Sequence, residues 1–154
     1  MSSTHEFDCA LRWTGAERGS TRDYKSYSRE YRIDIAGKPP LIGSAAPPFL
    51  GDGALPNPED MLVCALSACH CLSYLAICAR AGIAVVAYED HAHGVMKPQE
   101  GIMRFSDVLL RPRVTIATHA SRSSWQTLHN PPGIHSPYRL TSVASKADIR
   151  CAES

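Results

Sequence analysis

Six cysteines stand out in a chain of 154 residues. Cys64, Cys69, Cys71 and Cys78 crowd one segment, while Cys9 and Cys151 lie far from it. Such a set can be a disulfide scaffold, a metal site, a thiol catalyst or a group of small core residues. Residues 1–8 carry no basic region followed by an apolar one, so no secretory signal is expected. The thiols are then expected in a reducing compartment, the cytoplasm, where structural disulfides are rare. No C-x-x-C pair occurs, which argues against a zinc ribbon. His91 and His93 have strand spacing, and with Cys69 or His70 a metal site is conceivable, but two solvated histidines are the simpler reading. Neither a metal nor a cofactor is expected.

The elements that must hold these groups can be read from the spacing of apolar residues. Phe7, Cys9, Leu11 and Trp13 alternate with polar residues, as do Tyr27, Arg29, Tyr31, Ile33 and Ile35, which predicts an antiparallel hairpin over 6–36 with Cys9 facing inward. Residues 37–57 form a long connection rich in Gly and Pro, a length that points to function or a partner contact. Asn57 is a helix cap, Pro58 suits the first helical position, and Glu59 and Asp60 complement the helix dipole. The helix is expected over 58–81, with Gly82 as its stop. At 100° per residue, Cys64, Cys71 and Cys78 share a packing stripe with Ser67 and Leu75. Cys69 falls almost opposite, with Leu62, Ala65, Leu72 and Ala76. Nearly every face is apolar or small, so the helix is expected to be buried all round, part of it by a second subunit. Residues 83–96 and 101–116 read as two further strands joined by a turn at 97–101. A short helix is expected over 121–129, ended by Asn130-Pro131-Pro132-Gly133, and a strand within 138–151. The sum is one α+β domain over 1–154.

The stretch Asn57-Pro58-Glu59-Asp60-Met61-Leu62, followed by Ala65-Leu66-Ser67-Ala68-Cys69, resembles the central helix of the OsmC/Ohr family, the osmotically inducible and organic hydroperoxide resistance proteins. Agreement extends to Trp13-Thr14-Gly15, to Gly37-Lys38-Pro39-Pro40, to Ala81-Gly82-Ile83 and to residues 108–114. The resemblance implies an OsmC-like fold, with antiparallel sheets packed around a long buried central helix in an intertwined homodimer. It also implies that Cys69 is the peroxide-reactive thiol, oxidised to a sulfenic acid, and that Glu59 orients a catalytic arginine. Ten residues along one helix span about 15 Å, so Glu59 is expected to serve Cys69 of the other subunit. Two positions depart from the family pattern. Pro132 stands where the resolving cysteine is expected, and Leu50 takes the place of the arginine in the loop before Asn57. A peroxidatic thiol needs positive charge beside it to lower its pKa from about 8.5. Cys151 is the one remaining candidate to resolve Cys69, since Cys71, two residues along the helix, points away.

Composition narrows the function classes further. With 16 Lys+Arg against 15 Asp+Glu the net charge is +1, so neither nucleic acid nor a membrane surface is an expected partner. Hydrophobic residues at 44% exclude disorder of the whole chain. The expected partners are a second copy of the chain, a small organic hydroperoxide and an external thiol reductant, with Cys69 and Glu59 as the catalytic residues. The competing expectation is a catalytically silent protein of the same fold that binds a small apolar ligand. His70 is expected to make a polar contact with the partner subunit.

Overall fold

The structure, a computed structural model, describes residues 4–117, 143–145 and 148–151, the last two segments as backbone. Residue contacts gather into two compact units, 1–61 and 62–154.

In the first unit, β1 (Ala10–Trp13), β2 (Tyr31–Asp34) and β3 (Leu41–Gly43) form an antiparallel sheet in that order. Its register sets Leu11 beside Ile33 and Leu41, and Trp13 beside Tyr31 and Gly43, all on one face. The hairpin is shorter than its alternation suggests. β1 begins at Ala10, and Phe7 (93% exposed) and Cys9 lie outside it, so Cys9 is not an inward-facing residue. Alternation alone cannot hold a strand end that lacks a pairing partner. A 3-10 turn over Thr14–Arg18 follows β1. The Trp13 indole N–H donates to the Ser28 carbonyl at 2.7 Å, and a Cβ on buried Gly15 would overlap both groups. The connection over 37–57 is more ordered than expected. It contains β3 and a 3-10 turn at Pro47–Phe49, and buried Ser44 ties it together, its N–H donating to the Pro56 carbonyl and its Oγ accepting from the Asp52 N–H.

The helix α1 runs over Pro58–Arg80 as its caps dictate. Asn57 Oδ1 accepts the Asp60 N–H at 2.8 Å, and Asp60 Oδ2 accepts the Asn57 N–H at 3.2 Å, a reciprocal capping box. At the other end Gly82 takes φ +69°. The Gly82 N–H donates to the Ala79 carbonyl and the Ile83 N–H to the Cys78 carbonyl, which places Ile83 against Cys78 in the core.

In the second unit, two apolar runs break into four strands. The first becomes β4 (Val85–Asp90) and β5 (His93–Gln99), and the second becomes β6 (Ile102–Leu110) and β7 (Pro112–Ile116). The chain reverses between β5 and β6 at Glu100 and Gly101, both with positive φ, as a tight two-residue hairpin requires. β4 pairs antiparallel with β7, and β5 with β6, so each run spans two sheets. Within 138–151, β8 (Val143–Ser145) joins β6 and β9 (Asp148–Cys151) joins β7, both parallel. The short helix expected over 121–129, and Pro132, lie outside the described residues.

One helix face covers both sheets. Leu66 packs with Val108 and Leu110, and one turn pair further on Tyr74 and Cys78 pack with Ile83, Val114 and Ile116. Within a single chain, however, α1 is not buried all round: Leu66, Tyr74 and Cys78 are its buried residues, and Leu72 is 68% exposed. The sheets can cover one face only. The cysteine stripe is likewise not a uniform core, for Cys78 is buried, Cys71 is half-buried and Cys64 is exposed. A seven-residue spacing drifts about 20° per repeat on a straight helix, which turns Cys64 about 40° away from Cys78.

Candidate functional site

Cys69 sits half-buried on the side of α1 that the sheets leave open, in line with exposed Ala65, Leu72 and Ala76. Glu59 occupies the second position of the same helix, where a carboxylate complements the dipole. Its Oε2 is buried and has no hydrogen-bond partner among the described residues, an arrangement that asks for a donor from elsewhere. The two are ten residues apart on one helix, so a single chain does not bring them together.

The opposite face of α1 carries a polar seam that the sequence reading missed. Ser67 Oγ donates to Asp90 Oδ2 at 2.5 Å, and the Arg111 backbone N–H donates to Asp90 Oδ1 at 2.7 Å. His70 Nδ1 and the Tyr88 hydroxyl lie 2.7 Å apart, so the imidazole is bonded within its own chain through Nδ1. Spacing could not reveal this bond, because 18 residues separate its ends. The His70 ring stacks on Tyr74 at 6.1 Å, and Tyr74 and Tyr88 lie 6.0 Å apart. Burial lowers the His70 pKa, opposed by the Asp90 carboxylate. Burial raises both phenols, and the Asp90 charge adds to the effect on Tyr88. The Cys71 thiol is pushed up by burial and then by Asp90, so it is held as a thiol and is a poor nucleophile. The seam fastens the helix to β4.

The first unit holds two hollows that share Tyr27 and Arg29. One, of about 330 Å³, is walled by Leu11, Trp13, Tyr31, Ala45 and Pro58, with Thr21 at its side. The other, of about 310 Å³, is polar and takes in Ser26, Ser28, Ser44, Arg18, Glu30, Leu50 and Asp52. Leu50 is exposed in a left-handed conformation, φ 62°, and supplies no charge. Two guanidiniums line the same hollow, however: Arg18, bonded to Glu30 at 2.7 Å, and Arg29, whose cation lies 3.9 Å from the Tyr27 ring centroid. Both come from sequence far from Leu50, which is why the loop read alone looked bare of charge. Burial raises the Tyr31 phenol, and the carboxylates of Glu59 and Asp60 add to this.

The remaining candidates stay apart. His91 lies in the corner between β4 and β5 while His93 opens β5, both exposed, and no three metal-ligating side chains converge among the described residues. Cys151 ends β9, opposite Ile116.

A long capped helix laid across two small β-sheets, with a cysteine on its open face, defines an α+β fold of the OsmC-like class. The model of the OsmC-like protein family matches residues 51–130, and the chain belongs to that family. Its structure is similar to that of an OsmC-like protein of Vibrio cholerae, with a TM-score of 0.78 at 26% identity over 94% of this chain and 99% of that one. It also shares its fold with the organic hydroperoxide resistance proteins of Elizabethkingia anophelis and Bacillus subtilis. The former gives a TM-score of 0.61 at 14% identity, covering 99% of this chain and 100% of that one. The latter gives 0.59 at 17%, covering 95% and 98%. No curated protein sequence matches the chain.

Proposed function

We propose that the chain acts as a cytoplasmic homodimer that reduces small organic hydroperoxides, with Cys69 of one protomer and Glu59 of its partner in each site. The observation that carries this reading is the position of Cys69: half-buried on the uncovered apolar face of the family's central helix, within the matched segment. A second copy over that face removes Leu72, Ala65 and Ala76 from water. The buried Glu59 Oε2, without a partner among the described residues, supports a donor arriving from outside its own helix. Positive charge is available on the unit that carries Glu59, from Arg18 and Arg29.

The Cys69 thiolate attacks the terminal oxygen of the hydroperoxide. The S–O bond forms as the O–O bond breaks, sulfur loses two electrons, and the departing alkoxide takes a proton to become an alcohol. An external thiol then displaces water from the sulfenic acid to give a mixed disulfide, and a second thiol releases Cys69. This one-cysteine route needs no resolving residue at position 132.

Consumption of cumene hydroperoxide with dithiothreitol tests the reading. The wild type should consume it catalytically, and Cys69→Ser should fall to background; equal background rates in both end the peroxidase reading. Mixing Cys69→Ser with Glu59→Gln protein separates a shared site from a private one. Random exchange of subunits in a two-fold dimer should restore roughly a quarter of wild-type activity if each site draws on both chains. A second reading, a silent member that binds a small apolar ligand, is favoured by the apolar hollow beside Trp13.

A further inference from the structure

We propose that the apolar hollow of the first unit is a binding site for an aryl group, with Trp13 and Tyr27 as the residues that select an aromatic body over an aliphatic one. The inference deepens the ligand side of the function proposed above, and it can be tested without any peroxide chemistry.

Almost all of the wall surface that faces the hollow is apolar. The Trp13 indole N–H is held by the Ser28 carbonyl at 2.7 Å. The terminal nitrogens of Arg29 donate to the carbonyls of Tyr27, at 2.5 Å, and of Tyr24. The Tyr31 hydroxyl is buried, has no hydrogen-bond partner among the described residues, and would be overlapped by a Cβ on Gly43. The surface toward the hollow is chiefly hydrocarbon and ring, so it rewards apolar ligand surface and offers an entering polar group little in exchange for its water. The size fits more than one ring: a 150 Å³ apolar cavity accepts benzene, and this hollow has about 330 Å³.

The geometry of the rings then distinguishes aryl from alkyl. Trp13 and Tyr27 stand edge to face, 6.1 Å apart at 85°, and present two perpendicular aromatic surfaces. A planar ring can stack on one while meeting the edge of the other, the pair of arrangements aromatic quadrupoles favour. Arg29, stacked on Tyr27 at 3.9 Å and anchored by its two carbonyls, keeps that ring from turning. Rigid walls are what allow a hollow to discriminate shapes.

The test follows the emission of Trp13 in a Trp125→Phe background, since these are the chain's two tryptophans. The full chain is titrated with 2-phenyl-2-propanol and with 2-cyclohexyl-2-propanol, which differ in ring character alone. The aryl alcohol should bind about three- to tenfold more tightly, the range expected of one added aromatic pair. Tyr27→Leu should reduce the preference below twofold, and Ala45→Phe, which fills the hollow, should abolish binding of both; thermal melts verify that each variant is folded. Equal affinities for the two alcohols, an absence of quenching, or binding indifferent to Ala45→Phe overturns the assignment. Aryl preference without hydroperoxide consumption supports this site and overturns the peroxidase reading alone. Consumption without aryl preference overturns this site and leaves that reading standing.

Discussion

The bond between His70 and Tyr88 joins α1 to β4, and its removal should be visible both at neutral pH and in how stability responds to acid. Tyr88→Phe deletes one hydroxyl and keeps the ring, so the contacts at 6.0 Å to Tyr74 and 6.3 Å to His70 survive. The loss is then one hydrogen bond of 2.7 Å, together with the cost of leaving Nδ1 without that partner. Because the imidazole is half-buried rather than enclosed, the expected cost is about 1–1.5 kcal/mol, the lower part of the range for an unsatisfied buried group. At a urea slope of 1–3 kcal/mol per molar, that moves the midpoint by about 0.3–1.5 M. Burial lowers the His70 pKa in the folded chain, so below the unfolded value of about 6.5 the unfolded state binds more protons. His70 therefore favours folding above that pH, and its contribution is lost as pH falls through the unfolded value toward the folded one. Tyr88→Phe should accordingly be less stable at pH 7.5, and His70→Gln should lose least on going to pH 5. Urea unfolding followed by circular dichroism, at fixed protein concentration, measures all three. A Tyr88→Phe midpoint within about 0.1 M of wild type at pH 7.5, well under the smallest shift expected, or a wild-type acid loss unchanged in His70→Gln, would refute the reasoning.

Three further substitutions probe the local devices. Asn57→Ala removes the helix cap and should cost about 1 kcal/mol, read as a lower melting temperature. Gly82→Ala forces a side chain into a left-handed conformation and should cost about 1–2 kcal/mol in chemical unfolding. Gly15→Ala places a methyl group where the Ser28 carbonyl and the Trp13 indole meet, so it should cost about 1–3 kcal/mol and shift Trp13 emission to the red.

What the residues disclose by themselves is what neighbours in sequence decide. Asn57, Pro58 and Asp60 mark the start of α1 and Gly82 its end, because caps bond within a turn of themselves. The hairpin at Glu100 and Gly101 is local in the same sense. The breaks at His91-Ala92 and at Arg111 are not, for an apolar run reads the same whether its strand serves one sheet or bends between two. Those breaks depend on Asp90, which is bonded at once to Ser67 of the helix and to the Arg111 backbone, 23 and 21 residues away. Leu50 looked like a loss of charge for a similar reason, since Arg18 and Arg29 approach it through the fold. Cys69 was identified by its place in a family pattern. Its geometric distinction, an open apolar surround opposite the seam, emerges only once the sheets take the other face.

The parallel edge strands β8 and β9 carry a consequence for how the chain matures. β6 and β7 each present an unpaired row of amides until segments 143–145 and 148–151 reach them. A chain emerging from the ribosome therefore passes through a stage in which the helix and four strands are present while two sheet borders stand open to any extended neighbour. Pairing that closes so late is exposed to misassembly, and truncation before Val143 should yield a protein that associates through those borders. The same short segments thus act as gatekeepers of solubility, a duty separate from any chemistry at Cys69.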